Sequence, residues 1–92
     1  MPRVNGMTTL PRGWECVACV VEAVESWAGV PVLDLNTTLA NLFMVNHGAC
    51  DRGALRSLKA LLDQKPCGRR VPLGRFSCAW TVSRLVREVC GF

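Results

Sequence analysis

The chain has 92 residues, of which half are apolar and 20% are charged. This length predicts one domain with a modest core, and the apolar content excludes a disordered chain. No run of 18 apolar residues occurs, which excludes a membrane-spanning helix. The net charge is +4, from 11 Lys+Arg against 7 Asp+Glu. This basic excess favours an anionic partner, although a solvated surface explains it about as well.

Apolar spacing predicts four short helices with brief connectors, after an extended arm over residues 1–13. The predicted helices span residues 14–28, 38–46, 52–64 and 77–89. Asn36 or Thr37 is predicted to cap the second helix and Asp51 the third, while Gly91 follows the fourth. We therefore expect residues 14–92 to form a single all-α domain, a small cysteine-rich bundle of four to five short helices.

Six cysteines are candidates for disulfides or metal binding: Cys16, Cys19, Cys50, Cys67, Cys78 and Cys90. In an oxidising compartment they allow up to three bridges, in 15 pairings. In a reducing compartment the same number indicates metal ligands or buried thiols. If the third and fourth helices form an antiparallel hairpin, Cys67 would meet Cys78 near its turn and Cys50 would approach Cys90.

A zinc site is the main alternative use of these cysteines. Cys16 and Cys19 are separated by two residues, and so are His47 and Cys50. Two ligands at each of two chain positions fit a tetrahedral Cys₃His site. The chain would then be an intracellular, zinc-stabilised regulatory or protein-interaction module.

Two further patterns concern the surface. Asn36-Thr37-Thr38 is an N-glycosylation sequon, and a helix N-cap explains the same triplet.

The basic residues concentrate in the second half of the chain. The candidates for binding an anionic partner are Arg69, Arg70, Arg75, Arg84 and Arg87.

The stretch from Trp14 to Val24, with Cys16-x2-Cys19, resembles the start of a saposin-like domain. Asn36-Thr-Thr-Leu before a second helix and the third cysteine, Cys50, extend the resemblance over residues 14–50. The Arg-rich second half is similar to cationic, membrane-active members of that family. The resemblance implies a leaf of four or five helices that binds or perturbs lipids, held by three nested disulfides.

These observations favour a non-enzymatic module that binds lipid or membrane surfaces without a cofactor. Arginines would meet anionic headgroups, while Trp, Leu and Val side chains would enter the acyl boundary. A protein partner or a homo-oligomer is the alternative, and nucleic acid is disfavoured. No residue is predicted to be catalytic.

The first residues lack the apolar segment of a signal peptide, so we expect an intracellular chain or one whose signal was removed. Disulfides would indicate a secreted or lumenal protein, and zinc an intracellular one.

Overall fold

A computed structural model describes residues 14–66 and 68–92, and this part of the chain is all-α. It contains helices α1 (Trp14–Ala28), α2 (Leu39–His47), α3 (Arg52–Asp63) and α4 (Val82–Cys90), and a 3₁₀ turn at Leu73–Arg75. The predicted fold class is therefore confirmed. The predicted arm over residues 1–13 and the cysteine at position 67 lie outside the described residues.

Helix α1 is the centre of the fold and packs against α2, α3 and α4. Its broad apolar stripe explains this position, because one helix can bury several neighbours only if more than one row of its side chains is apolar. Val20 and Val24 are fully buried. Trp27 lies in the core, where its indole N–H donates to the Ala54 carbonyl of α3 at 2.8 Å.

Helices α2 and α4 begin side by side at a reciprocal pair of backbone hydrogen bonds. The Leu39 N–H donates to the Trp80 carbonyl at 2.9 Å, and the Val82 N–H donates to the Thr37 carbonyl at 3.0 Å. The first N–H groups of a helix lack partners within it. Here each segment supplies carbonyls to the other helix. We call this contact the capping junction.

Threonine side chains complete the capping junction. The Thr38 hydroxyl accepts from the Asn41 N–H at 3.2 Å, and the Thr81 hydroxyl accepts from the Arg84 N–H at 3.0 Å. The N-cap of α2 is therefore Thr38, and the prediction of Asn36 or Thr37 was one or two residues early.

The predicted start of the last helix at residue 77 was also wrong. Residues 77–80 form a turn, and α4 begins only at Val82. The reason lies in the capping junction, where the Trp80 carbonyl serves α2 instead of a helix of its own. The predictions for Asp51 and Gly91 were confirmed. Asp51 caps α3 by accepting from the Ala54 N–H at 2.9 Å, and Gly91 ends α4 with a φ of 78°.

The last two helices do not form the hairpin on which the pairing of Cys50 with Cys90 was conditional. Helix α4 packs against α1, and a disulfide joins Cys16 to Cys90, with their Cα atoms 5.9 Å apart. Cys90 therefore pairs with Cys16, and the approach of Cys50 to Cys90 that such a hairpin would have allowed does not occur. The buried stripe of α4 fits the apolar side of α1, so its amphipathic pattern did not by itself select a partner helix.

Candidate functional site

Three arginines converge on one carboxyl-bearing residue of α4. Arg84 Nε lies 3.0 Å from Glu88 Oε2, and an Arg75 Nη lies 3.0 Å from Glu88 Oε1. Arg69 Nε donates to the backbone carbonyl of Glu88 at 2.9 Å. With Arg70 and Arg87 nearby in the chain, these residues form what we call the arginine cluster: Arg69, Arg70, Arg75, Arg84 and Arg87.

Three segments bring the arginine cluster together. Arg84 and Arg87 lie one turn apart on the exposed face of α4. The loop before the 3₁₀ turn runs along the end of α4, where the Arg69 N–H donates to the Val89 carbonyl at 2.8 Å. Arg75 ends the 3₁₀ turn, and the buried ring of Phe76 anchors that turn in the core.

The electrostatics of the arginine cluster leave it positive. The hydrogen bond from Arg84 lowers the pKa of the Glu88 carboxyl, and the charges of Arg75, Arg84 and Arg69 act in the same direction. Glu88 is therefore ionised at neutral pH. Arg70 approaches a second carboxylate, Asp63, at 4.0 Å, but its side chain is 77% exposed. The five arginines thus outnumber the two carboxylates that contact them, and Asp63 also pairs with Lys59 at 2.8 Å, so the cluster keeps an excess of positive charge.

An exposed connector that carries two apolar side chains, Leu33 and Leu35, precedes α2, and its Leu35 end lies beside the start of α4. Leu33 is 89% exposed and Leu35 is 44% exposed. The Leu35 carbonyl accepts from the Ser83 N–H at 2.9 Å, which fixes this connector beside the first turn of α4 and next to Arg84. The other large exposed apolar residues of the described chain are Met44, Val45 and Phe92.

Two of the tryptophans lie in the core, a placement that the sequence allows at least as readily as a lipid interface. Trp27 and Trp80 are only 6% and 9% exposed. Trp27 stacks on Phe43, with ring centroids 4.6 Å apart, and Trp80 packs against Phe76. The Arg84 guanidinium lies 5.4 Å from the centre of the Trp80 ring, so Trp80 makes a cation–π contact with a member of the arginine cluster.

The predicted Cys₃His zinc site is not assembled. Cys16 is engaged in a disulfide. His47 stacks on Phe43 and lies near Gly29, at the far end of α1 from the cysteines. Ten residues at about 1.5 Å each separate Cys19 from Gly29, which is about 15 Å and far beyond any metal bond. Among residues 14–66 and 68–92, no group of three or more metal-ligating side chains occurs.

The Asn36-Thr37-Thr38 sequon, a predicted glycosylation site, also has a structural role in the fold. Asn36 is exposed in the connector before α2, and its N–H donates to the Asp34 carboxylate at 2.8 Å. Thr38, the third residue of the triplet, caps α2. Glycosylation of Asn36 stays a prediction.

Glu88 was not among the site residues predicted from the sequence, although it pairs with Arg75 and Arg84. The four-residue spacing between Arg84 and Glu88 is the signal that would have revealed their ion pair. No local signal connects Arg69 or Arg75 with Glu88, because those contacts depend on the path of the loop.

Comparisons with known proteins do not add a relative to this description. No protein-family model, no curated protein and no solved structure matches the chain.

Proposed function

We propose that this protein is a non-enzymatic module that binds anionic lipid surfaces. The arginine cluster would contact headgroups, and Leu33 and Leu35 would enter the headgroup boundary. The observation that carries the proposal is the convergence of Arg69, Arg75 and Arg84 on Glu88, which fixes several guanidinium groups on one face.

The chemistry of the cluster suits phosphate headgroups. A guanidinium group presents a planar fork of donors that matches phosphate oxygens. Near an anionic membrane surface each arginine contributes about 1 kcal/mol of attraction, so several acting together give measurable binding. Exposed Leu33 and Leu35 would add apolar burial, as in helices and loops that lie in the interface plane.

Among the residues that the structure describes, no helix is both long and apolar enough to cross a bilayer. Two other features support the proposal. A disulfide between Cys16 and Cys90 suits a protein that acts in an oxidising compartment. The resemblance of residues 14–50 to saposin-like domains points to the same class of function.

Vesicle co-sedimentation tests this proposal. The protein would be mixed with vesicles of phosphatidylcholine alone or with added phosphatidylglycerol, at about 20 mM and about 500 mM salt. We expect binding to the anionic vesicles at low salt, weaker binding at high salt because the charges are screened, and little binding to the neutral vesicles. Absence of binding to anionic vesicles at both salt concentrations would contradict the proposal.

A further inference from the structure

Two cysteines outside the Cys16–Cys90 disulfide meet at the capping junction. The Cys78 thiol contacts the backbone carbonyl of Cys50, with Sγ and O 2.6 Å apart. Both residues are half-buried, and 28 positions separate them in the chain. Cys50 directly precedes Asp51, the cap of α3, and Cys78 lies in the turn before α4.

We propose that Cys50 and Cys78 form a second disulfide, which ties the connector between α2 and α3 to the turn before α4. Standard bond lengths and the observed contact limit the distance between the two Cα atoms to about 8 Å, even with the intervening atoms fully extended. A bridge requires about 7 Å or less. A path bent enough to shorten this span by about 1 Å places the two Cα atoms in range, and rotation of the Cys50 side chain toward Cys78 would then allow the bond to form.

The surrounding backbone holds both residues in place. The Cys78 carbonyl accepts from the Ala40 N–H at 3.0 Å, as part of the capping junction. Asp51 is fixed by its hydrogen bond to the Ala54 N–H. The two cysteines are therefore presented by anchored segments, and closing the bond costs little further ordering.

The surroundings of the pair also affect the acidity of the Cys50 thiol. Burial, together with the hydrogen bond to Cys78, raises the pKa of the Cys50 thiol to about 12. Cys50 is consequently a weak nucleophile in the reduced protein, since the thiolate is the attacking form.

The oxidation balances with a small disulfide such as oxidised glutathione as the electron acceptor. The Cys78 thiolate attacks one glutathione sulfur and releases the first glutathione thiolate. Cys50 then loses its proton and attacks the Cys78 sulfur of this mixed disulfide, releasing the second. The two protons end on the two glutathione thiols, which have accepted the two electrons.

This pairing differs from the nested arrangement that a saposin-like domain would have. Nesting six cysteines would pair the second with the fifth, Cys19 with Cys78. The structure instead places Cys78 against Cys50, while the outermost pair, Cys16 with Cys90, agrees with nesting.

Peptide mapping decides between these pairings. The full chain would be incubated with oxidised glutathione, quenched in acid and digested with trypsin and a protease that cleaves before aspartate. These cleavages separate the candidate partners of Cys78 from one another: Cys16 and Cys19 lie on residues 13–33, Cys50 on 34–50, Cys67 on 63–69 and Cys78 on 76–84. We expect peptide 34–50 joined to peptide 76–84. Peptide 76–84 joined to 13–33 or to 63–69, or found unlinked, would overturn the proposal.

A second measurement uses single substitutions in the oxidised protein. In Cys50→Ser, we expect Cys78 to lose its partner and to react with a maleimide on peptide 76–84. In the matched control Cys19→Ser, Cys78 should stay protected. Circular dichroism would show that both variants keep their helices. Protection of Cys78 in Cys50→Ser, or its reaction in Cys19→Ser, would contradict the pairing.

Discussion

Glu88 controls the charge of the proposed lipid-binding surface. Its carboxylate accepts hydrogen bonds from Arg84 and Arg75. The hydrogen bond from Arg84 is the largest cause of its lowered pKa, so the carboxylate stays ionised at neutral pH. Because the pKa of Glu88 is lower in the folded protein than its ordinary value near 4.5, its ion pairs stabilise the fold fully at a pH above that value. This contribution is lost only as the pH falls through the lowered pKa. The arginine cluster therefore keeps the same charge pattern throughout the neutral range.

Replacement of this carboxylate should strengthen lipid binding. Glu88→Gln removes one negative charge and frees two guanidinium groups for headgroup phosphates. We expect roughly fivefold tighter binding to anionic vesicles, since one charge near the membrane contributes about 1 kcal/mol. The matched control is Glu25→Gln, near the C-terminal end of α1. The amide oxygen of the new glutamine can still accept from the Val32 N–H, as the Glu25 carboxylate does. Unchanged or weaker binding by Glu88→Gln, measured by titration with vesicles, would contradict this role.

At the residue scale, the sequence predicted the cationic side of the site but not its organisation. All five arginines were identified from their concentration in the second half of the chain. The loop that brings Arg69 and Arg75 to Glu88 has no periodic pattern, so their meeting point could not be predicted from spacing.

At the element scale, the capping junction positions the start of α4 and with it Arg84. Thr38 and Thr81 occupy equivalent places in the two helices that meet there, and an isolated antiparallel bridge pairs them. The hydroxyl of each threonine satisfies an N–H group of its own helix. The two caps therefore belong to one contact.

Substitution of Thr38 and Thr81 should show that the two helix caps are energetically coupled. Thr38→Ala and Thr81→Ala should each lower the free energy of unfolding by about 1 kcal/mol, through loss of an N-cap. Because the caps lie in one hydrogen-bonded contact, we expect the loss in the double variant to differ from the summed single losses by at least about 0.5 kcal/mol. Urea unfolding measures all three, with Thr→Ser at each position as the control that retains the hydroxyl. Additive losses would contradict coupling through the junction.

Helix prediction succeeded where local signals suffice and failed where a distant partner decides. The bounds of α1 and the Asp51 cap of α3 were correct, since an apolar stripe and a capping residue are local features. The start of α4 was wrong because residues 77–80 give their backbone groups to a segment about 40 positions away. No pattern within that stretch indicates such pairing.

At the scale of the whole molecule, α1 and the Cys16–Cys90 disulfide hold the two ends of the described chain together. The disulfide spans 74 positions. The sequence predicted cysteine bridging but not this pair, because the packing of α4 on α1 depends on which apolar faces fit best in three dimensions. Periodicity describes each face but does not select its partner.

Removal of this disulfide should destabilise the fold strongly. Closing so long a loop in the unfolded chain lowers its entropy, and loss of that restriction should cost about 4 kcal/mol. We expect the double variant Cys16→Ser/Cys90→Ser to show this loss in urea unfolding. Cys19→Ser serves as the control for substitution of a cysteine in the same helix. A loss of less than about 1 kcal/mol would contradict the proposed part of the disulfide in stability.

The central claim concerns which face of the molecule meets the lipid, and a pair of double variants provides the direct test. Arg70→Gln/Arg87→Gln removes two exposed members of the arginine cluster. Arg52→Gln/Arg56→Gln removes the same charge from exposed positions on α3. Near the start of α3, Ala54 contacts Trp27 at one end of α1, whereas the cluster lies nearer the end that carries Cys16.

Binding of both variants to anionic vesicles at low salt would be compared with that of the unmodified protein. We predict a loss of roughly tenfold or more in affinity for Arg70→Gln/Arg87→Gln, at about 1 kcal/mol per charge. The control pair should lose much less, because its charges lie outside the arginine cluster. Equal losses in the two variants would show that only net charge matters and would contradict the arginine cluster as the lipid-binding face.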